Sequence, residues 1–293
     1  MRIVTRGDLD GLTSSVLLSE TNRISGVELV HPQDISNKSF SVGPRDILAN
    51  LPYAPGCCMW FDHHAHTTMP QGEFMGKYAI APSVARVIYE YYGAEALARF
   101  ERLVSETDRF DSADLTREDV LNPQGVMLLG FLIDPRTGMT KDFKPLFLSL
   151  MDRLRTMSAE EVLLDLDMKQ RTAVYRENIA KFHDFLLANS EVDGNVVVTD
   201  FRGLDHAPVG NRFLIYTTFP HCNVSVRVQW GPGRKFVAVN IGHSIFDRSC
   251  SVDVGRLCRE HGGGGHRGAG ACVIDTANAD LEIHDIIERL IED

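Results

Sequence analysis

The sequence predicts an α/β protein with a mostly parallel N-terminal sheet flanked by helices, a connecting helix and a smaller C-terminal α/β domain. In the first half, short apolar runs alternate with helical patterns, which is typical of parallel sheets. Residues 159–189 lack Gly and Pro and carry apolar residues at helical spacing, which predicts a long helix with one break allowed. Strand-like runs return after residue 194. We therefore expect domains at residues 1–155 and 191–293, joined by a helix at residues 156–190.

The individual elements follow from the same patterns. Strands are expected at residues 3–5, 27–30, 46–51, 57–61, 195–200, 223–229, 235–241 and 271–274. Helices are expected from about residue 13 and at residues 83–92, 95–107, 123–133, 144–155, 252–260 and 279–291. The segment Arg6-Gly7-Asp8-Leu9-Asp10-Gly11 is expected to be a polar loop after the first strand. In open α/β sheets, ligands bind at that edge.

Charge and composition restrict the partners. The 40 acidic residues outnumber the 30 basic ones, giving a net charge of -10. This balance disfavours long duplex nucleic acid as a partner, which needs a dense Lys/Arg surface, and leaves a short phosphate-bearing substrate.

The six cysteines form no CxxC pair, so we expect reduced thiols. No signal-peptide pattern and no apolar stretch of membrane-span length occur, so we expect a cytoplasmic protein with no membrane partner. The oligomeric state stays open, with a homodimer as one alternative.

Acidic residues and histidines cluster after two predicted strands. Asp8 and Asp10 follow the first strand, and Asp62-His63-His64 follows the apolar run at residues 57–61. Asp108 comes after a helical run. Mn²⁺ and Mg²⁺ prefer carboxylate oxygens, and imidazole suits Mn²⁺ better than Mg²⁺. An Asp-x-Asp-Gly segment alone is a common turn, so the prediction of a metal site depends on the combination of these groups and their order.

These motifs resemble those of a known family. Asp8-Leu9-Asp10-Gly11 followed by Asp62-His63-His64 is similar to the first and third motifs of the DHH phosphoesterase superfamily. The segment from Gly262 to Gly270 is similar to the glycine-rich signature of its DHHA1 domain. The resemblance covers nearly the whole chain and points to the exopolyphosphatase-like and oligoribonuclease-like branch. It implies a hydrolase with one or two Mn²⁺ ions, or Mg²⁺ as the alternative.

The resemblance also implies roles for individual residues. It implies that Asp8, Asp10, Asp62, His63 and Asp108 are metal ligands. It further implies that Asp62 and His64 are catalytic, with His64 at the scissile phosphate or the leaving group. Asp111 is the alternative to Asp108 as the last ligand.

Two positions depart from the family pattern. Arg6 and Asn50 stand where many members carry a metal ligand. A guanidinium cannot bind a cation, and a neutral amide oxygen is a poor bridge between two metals. Three outcomes remain open: the protein keeps one metal, it recruits another carboxylate such as Asp34, or it has lost hydrolysis and binds phosphate with Arg6 as an anion contact.

The glycine run at residues 262–265 is expected to bind substrate. Packing is not expected to account for it, whereas backbone N–H groups in such a loop can bind an anion. The expected substrate-binding residues are Arg6, Gly263, Gly264, Gly265, His266, Arg267 and His243, with Asn240, Ser244 and Arg248 as further candidates. For Arg227, substrate contact and an exposed strand position without a role remain equal alternatives.

The expected activity is metal-dependent hydrolysis of a phosphodiester or phosphoanhydride in an interdomain cleft. The expected substrate is short: an oligonucleotide, a bisphosphonucleotide, a dinucleotide or polyphosphate. The alternative is a non-catalytic phosphate- or nucleotide-binding protein with a depleted metal centre, which Arg6 and Asn50 favour.

Overall fold

The computed structural model describes residues 1–64, 69–134, 143–204 and 208–291. The chain forms two compact units. The first consists of Met1–Leu115 and Asn122–Tyr175, and the second of Thr116–Leu121 and Arg176–Asp293. Each unit contains its own sheet with helices, which confirms the predicted α/β class.

The elements are numbered in chain order. The strands are β1 (Arg2–Thr5), β2 (Gly26–Leu29), β3 (Asp46–Ala49), β4 (Met59–Asp62), β5 (Gly76–Tyr78), β6 (Ser190–Asp193), β7 (Val196–Asp200), β8 (Val224–Trp230), β9 (Phe236–His243), β10 (Gly264–His266) and β11 (Ala269–Asp275). The helices are α1 (Leu9–Thr21), α2 (Pro32–Ser36), α3 (Val84–Tyr92), α4 (Ala94–Leu97), α5 (Glu101–Asp111), α6 (Arg117–Leu121), α7 (Gly125–Ile133), α8 (Phe143–Leu154), α9 (Ala159–Leu163), α10 (Leu166–Asn189), α11 (Leu214–Thr218), α12 (Val254–Glu260) and α13 (Ala279–Ile291).

The sheet of the first unit is parallel, in the order β2-β1-β3-β4-β5. Its central strands β3 and β4 are buried along their whole length, as expected for short apolar runs covered on both faces. From β1 the chain continues to β2 on one side of it in the sheet, and from β3 it continues to β4 on the other side. The order of the strands therefore reverses between β1 and β3. Such a switch point forms a crevice at the carboxyl ends of the strands.

The first helix begins earlier than expected. We predicted a loop through Gly11 and a helix from about residue 13, but α1 begins at Leu9. Asp8 is its N-cap, because the carboxylate accepts a hydrogen bond from the N–H of Gly11 over 2.9 Å. Asp10 therefore lies in the first turn of a helix and not in a loop.

Other boundaries also shifted. The predicted helix at residues 95–107 is α4, a 3₁₀ turn at Ala98–Phe100 and α5, which continues to Asp111. The predicted helix at residues 159–189 is broken once, between α9 and α10. The strands β5, β6 and β10 were not predicted; they are three or four residues long.

An aromatic cluster packs beneath the loops of the first sheet. Trp60 on β4 is fully buried and its indole N–H donates to the carbonyl of Leu51 over 2.9 Å. Tyr53, Phe74 and Tyr78 pack around it, with ring centroids between 5.1 and 5.8 Å from that of Trp60. This cluster fixes the turn after β3.

The sheet of the second unit is mixed, in the order β10-β11-β9-β8-β7-β6. Strands β7 and β8 are parallel and the other pairs are antiparallel. One face packs against α12 and α13 in a core rich in valine and isoleucine. Across the described residues, none of the helices has the length and apolar character needed to cross a bilayer.

Candidate active site

Loops after three neighbouring strands bring the predicted acidic and histidine residues to one edge of the first sheet. Asp8 follows β1, Asn50 follows β3, and His63 and His64 follow β4. Asp8 and Asn50 meet at the switch point, where Nδ2 of Asn50 donates to Oδ1 of Asp8 over 3.1 Å. The structure thus places the acidic and histidine residues that follow β1 and β4 at the same edge of the sheet as Asn50.

Asp8 is held on three sides. Besides Asn50 and the N–H of Gly11, Nε of Arg6 lies 3.1 Å from Oδ2 of Asp8. Gly11 is required for this arrangement, because a Cβ there would overlap the backbone carbonyl of Arg6. The carboxylate that the family resemblance implies as a ligand is thus already paired with a cation and an amide.

Asp10 is 1% exposed and faces the N-terminus of α3. Its two oxygens accept hydrogen bonds from the N–H groups of Val84 and Ala85, over 3.0 and 2.8 Å, a favourable place for a carboxylate. Burial nevertheless raises the pKa of Asp10 to about 7, with the nearby charge of Asp111 as a further cause of the rise. A bound cation would remove this penalty by neutralising the pair of carboxylates.

Asp10, His63 and Asp111 form a group that can hold a metal ion. One ligand atom from each lies within 4.8 Å of the others. The Nδ1 of His63 contacts the carbonyl of Ala81 over 2.9 Å, which fixes the ring and turns Nε2 toward the group. Among the described residues that Nε2 has no hydrogen-bond partner, although it is buried, and it lies 3.5 Å from Oδ2 of Asp111. Two carboxylates and an imidazole suit Mn²⁺, so the residues present fit one metal ion.

Asp108 lies on another side of α5. Its carboxylate accepts hydrogen bonds from Oγ of Ser83 over 2.6 Å and from Nε of Arg86 over 2.8 Å. The alternative, Asp111, is the residue that joins the group with Asp10 and His63. Between the two candidates for the last ligand, the geometry favours Asp111.

Asp62 and His64 form a hydrogen-bonded pair. The Nδ1 of His64 lies 2.7 Å from Oδ1 of Asp62, whose side chain is 1% exposed, against 45% for His64. This hydrogen bond raises the pKa of His64, although burial opposes the rise. A buried carboxylate thus orients an accessible imidazole and favours its protonated form.

Asn50 is a neutral amide at the position where the family resemblance implies a metal-bridging carboxylate. It adopts φ +60°, a conformation that Asn tolerates well. Its Oδ1 is buried and has no hydrogen-bond partner in the part of the chain that the structure describes. Asp34, the carboxylate considered as a replacement, lies exposed on α2 and accepts from Oγ of Ser39 over 3.0 Å. It is not part of the group around His63.

The glycine run of the second unit has a packing explanation, which we did not expect. Gly262 has φ +75° and ends α12, and the N–H of Gly263 donates to the carbonyl of Cys258 over 2.7 Å, as in a Schellman motif. A Cβ on Gly263 or Gly265 would overlap β11. Gly264 and Gly265 are not a loop: they belong to β10, paired with β11. Packing against β11 therefore accounts for Gly263 and Gly265, and the helix end accounts for Gly262, contrary to our expectation.

His266 is the last residue of β10, and His243 is the last residue of β9. The Nδ1 atom of each ring lies within 4 Å of the position that a Cβ on Gly268 would occupy. Arg267 is exposed and donates to the carbonyl of Ser251 over 3.2 Å. These three side chains carry N–H groups that can contact an anion. Their hydrogen bonds in the described residues do not by themselves define an anion site.

The remaining candidates of the second unit are scattered. Asn240 and Arg248 are exposed, whereas Ser244 is buried and accepts from the N–H groups of Phe246 and Asp247. Arg227 is not an exposed strand residue. Its guanidinium lies 4.2 Å from the ring of Phe201, and burial lowers its pKa.

The residues at the start of α3 that hold Asp10 and Asp108 were not predicted from the sequence. Ser83 and Arg86 hold Asp108, and the amides of Val84 and Ala85 hold Asp10. Ser83 is the N-cap of α3, so a cap signal was present in the sequence. What the sequence does not show is that this helix N-terminus faces α1.

The solved structures that match this chain include one that is similar along its whole length and others that share the fold at low identity. A pGpG-specific phosphodiesterase, PggH from Vibrio cholerae, is 34% identical, with a TM-score of 0.88, covering 100% of this chain and 99% of PggH. An exopolyphosphatase-related protein from Bacteroides fragilis is 12% identical, with a TM-score of 0.55, covering 100% of this chain and 93% of the other. RecJ from Thermus thermophilus, solved with Mn²⁺, is 12% identical, with a TM-score of 0.52, covering 100% of this chain and 52% of RecJ.

The two distant proteins share the fold alone. No family model matches the sequence, and no curated protein matches it. The likeness to PggH, in contrast, extends over both chains at 34% identity. With the Asp-x-Asp-Gly and Asp-His-His segments placed at one sheet edge, the chain belongs to the DHH phosphoesterase superfamily.

Proposed function

We propose that the protein is a metal-dependent phosphodiesterase that cleaves a short linear dinucleotide. The observation that carries the proposal is the group formed by Asp10, His63 and Asp111, whose ligand atoms lie within 4.8 Å of one another. The similarity to PggH, which is specific for pGpG, supports a dinucleotide as substrate. The net charge of -10 agrees with a short substrate and not with long duplex nucleic acid.

Asp10, His63 and Asp111 would hold one divalent ion, Mn²⁺ or Mg²⁺. When bound, such an ion supplies Lewis-acid chemistry, acidifying water for attack on phosphorus and offsetting the charge of the phosphate. Asp8 and Asp62 are less available as ligands for a second ion, because Arg6 and Asn50 bind Asp8 and His64 binds Asp62. We propose a centre with one strong metal site.

His64 acts as the general acid. With Nδ1 hydrogen-bonded to Asp62, the ring presents Nε2 for donation of a proton to the leaving oxygen of the phosphodiester. Asp62 holds the ring in this tautomer and stabilises its positive charge, as a buried carboxylate does for histidine in other hydrolases. Activity then needs no second ion at the leaving group.

Arg6 is the candidate phosphate contact. Its Nε is engaged with Asp8, and within the described ranges its terminal nitrogens make no hydrogen bond. A guanidinium in this position can bind phosphate oxygens and offset charge that builds up in the transition state. In the second unit, the candidates for contact with a phosphate group are His266 and Arg267, which are exposed at the β10–β11 hairpin, and His243, the last residue of β9.

The second candidate function is binding without hydrolysis. The observation that favours it is the pairing of Asp8 with Arg6 and Asn50, which removes one anionic ligand from the expected centre. In that case the same site would bind a dinucleotide or another short phosphate ester with Arg6 as its main anchor.

A substrate panel separates these functions. Purified protein is incubated with Mn²⁺ and, in turn, linear dinucleotides, cyclic dinucleotides, nucleoside 3′,5′-bisphosphate and polyphosphate, and the products are separated by chromatography. We expect two mononucleotides from the linear dinucleotides and little product from the others. Dinucleotide binding without product would favour the non-catalytic alternative. Faster hydrolysis of polyphosphate than of any dinucleotide would contradict the proposed substrate class.

A further inference from the structure

A cavity of about 710 Å³ lies beside the reactive side chains of the first unit. Asn50, Asp62 and His64 form part of its wall. The rest of the wall comes from α2, from the segment that follows it and from the turn after β3, and consists mostly of apolar and proline residues. Of these wall residues, the proposed cleavage uses Asp62 and His64, so the apolar part of the wall is available to a different portion of the substrate.

Two aromatic rings of this wall are fixed by their surroundings. Tyr53 packs edge-on against Trp60, with ring centroids 5.4 Å apart, and lies tilted against Phe74, with centroids 6.5 Å apart. Phe40 has the guanidinium of Arg2 at 5.5 Å from its ring centre, and Arg2 is fixed by two hydrogen bonds to Asp46 of 2.8 and 2.7 Å. Both rings are half-buried. A partner that stacks on them would therefore meet surfaces that are already ordered, which lowers the entropic cost of binding.

Lys38 brings a cation to the same cavity. It is exposed, lies in the wall between Phe40 and α2 in sequence, and has φ +58°. Its ammonium group makes no ion pair within the part of the chain that the structure describes. A lysine beside aromatic rings matches the Hoogsteen edge of guanine, which presents two acceptors, O6 and N7. Adenine presents a donor in place of O6, so the same lysine would favour guanine.

We propose that this cavity binds one nucleobase of the dinucleotide, with Phe40 and Tyr53 as the stacking surface and Lys38 as the contact to a guanine edge. The assignment rests on the proposed function and adds the part of the substrate that is recognised next to the scissile phosphate. Because Asp62 and His64 share the cavity wall, a base in this cavity would lie within one nucleotide of the reacting phosphorus. Polyphosphate has no group that could fill the apolar part.

The test combines substitutions in the protein with removal of a base from the substrate. Full-length wild type, Phe40→Ala, Tyr53→Ala, Lys38→Ala and the control Lys77→Ala are assayed with a linear guanine dinucleotide. The same variants are assayed with the adenine dinucleotide and with two guanine dinucleotides that lack one base, at either end. Lys77 lies on β5, pairs with Glu90 and is outside the cavity wall. Melting temperatures check that each variant is folded.

We expect Phe40→Ala and Tyr53→Ala to lower kcat/KM on the intact dinucleotide by about 5- to 150-fold, the range for losing one base–aromatic stack. On one of the two abasic substrates these variants should match the wild type, because the group that they contact is gone. Lys38→Ala should lower the preference for guanine over adenine by about fivefold or more, and Lys77→Ala should leave kcat/KM unchanged.

Equal losses on intact and abasic substrates would overturn the nucleobase site while leaving the proposed function standing. If the wild type cleaves no dinucleotide at all, the proposed function fails, and the site is then decided by calorimetric titration of the guanine dinucleotide into the same variants. In that titration, unchanged Kd values for Phe40→Ala, Tyr53→Ala and Lys38→Ala would overturn the nucleobase site.

Discussion

Nδ2 of Asn50 donates a hydrogen bond to Oδ1 of Asp8 over 3.1 Å, at the point where the loops after β1 and β3 meet. Arg6 binds the other oxygen of the same carboxylate over 3.1 Å. A neutral amide and a cation therefore occupy positions where a two-metal centre would have anionic or imidazole ligands. On the opposite side, Asp10, His63 and Asp111 remain grouped around one point. The two halves of the centre are thus unequal.

The first prediction concerns metal stoichiometry. The wild type should bind one Mn²⁺ ion tightly per chain, and Asn50→Asp should gain a second, weaker site, because a carboxylate would then face Asp8. Without metal, Asn50→Asp should be less stable by about 1–3 kcal/mol, since it buries a second charge beside Asp8. Calorimetric titration and melting with and without Mn²⁺ measure both effects.

Asn50→Ala is the control for that experiment, because it removes the amide without adding a ligand. It should bind one ion, as the wild type does. Two tight ions per chain in the wild type would contradict the unequal centre.

The second prediction separates Asp111 from Asp108. Asp111→Asn should lower Mn²⁺ affinity by about 100-fold or more, beyond the loss expected for an outer-shell partner. Asp108→Asn should instead lower the melting temperature, because it weakens the contacts with Ser83 and Arg86, and should leave Mn²⁺ affinity near the wild-type value. The two variants are compared by titration with Mn²⁺. The reverse pattern would assign the ligand to Asp108.

The third prediction concerns proton transfer. His64→Gln should lower kcat by about 10²- to 10⁴-fold, the usual contribution of a general acid. Its Mn²⁺ affinity should stay near that of the wild type, because His63 and not His64 belongs to the metal group. Steady-state kinetics and metal titration on the same preparation give both values. A parallel loss of metal and activity would instead identify His64 as a ligand.

The fourth prediction tests the packing of the glycine run. Gly263→Ala should destabilise the second unit by about 1–3 kcal/mol, because its Cβ would overlap the backbone of β11. Gly264→Ala is the matched control, since no atom of residues 1–64, 69–134, 143–204 or 208–291 lies within 4 Å of its Cβ position. Thermal or urea unfolding compares them. If both variants unfold like the wild type, packing does not explain the run.

The sequence allowed the fold class to be predicted, and it placed the acidic and histidine motifs directly after predicted strands. The buried runs of β1, β3 and β4 are apolar and bounded by turn residues, so their ends locate Asp8, Asn50 and His63 at one edge. The strands β5 and β10 were missed because each is only three residues long. β5 has the sequence Gly-Lys-Tyr and β10 the sequence Gly-Gly-His, and neither is an apolar run. Strands of this kind form only because a longer strand beside them supplies the hydrogen-bond partners.

The details of the site depend on contacts between distant segments. Whether Asp108 or Asp111 reaches the metal group depends on Arg86, which holds Asp108 from another helix. The need for glycine at position 263 depends on the close approach of β11. Neither contact leaves a local pattern in the sequence, so a family resemblance could indicate the motif but not which carboxylate points into it.

The decisive measurement is hydrolysis of a linear guanine dinucleotide with and without Mn²⁺. We expect the wild type to convert it to mononucleotides with Mn²⁺, a chelator to stop the reaction, and His63→Ala to remain inactive at Mn²⁺ concentrations that saturate the wild type. Undiminished turnover by His63→Ala, or by the chelated wild type, would contradict a centre built on Asp10, His63 and Asp111.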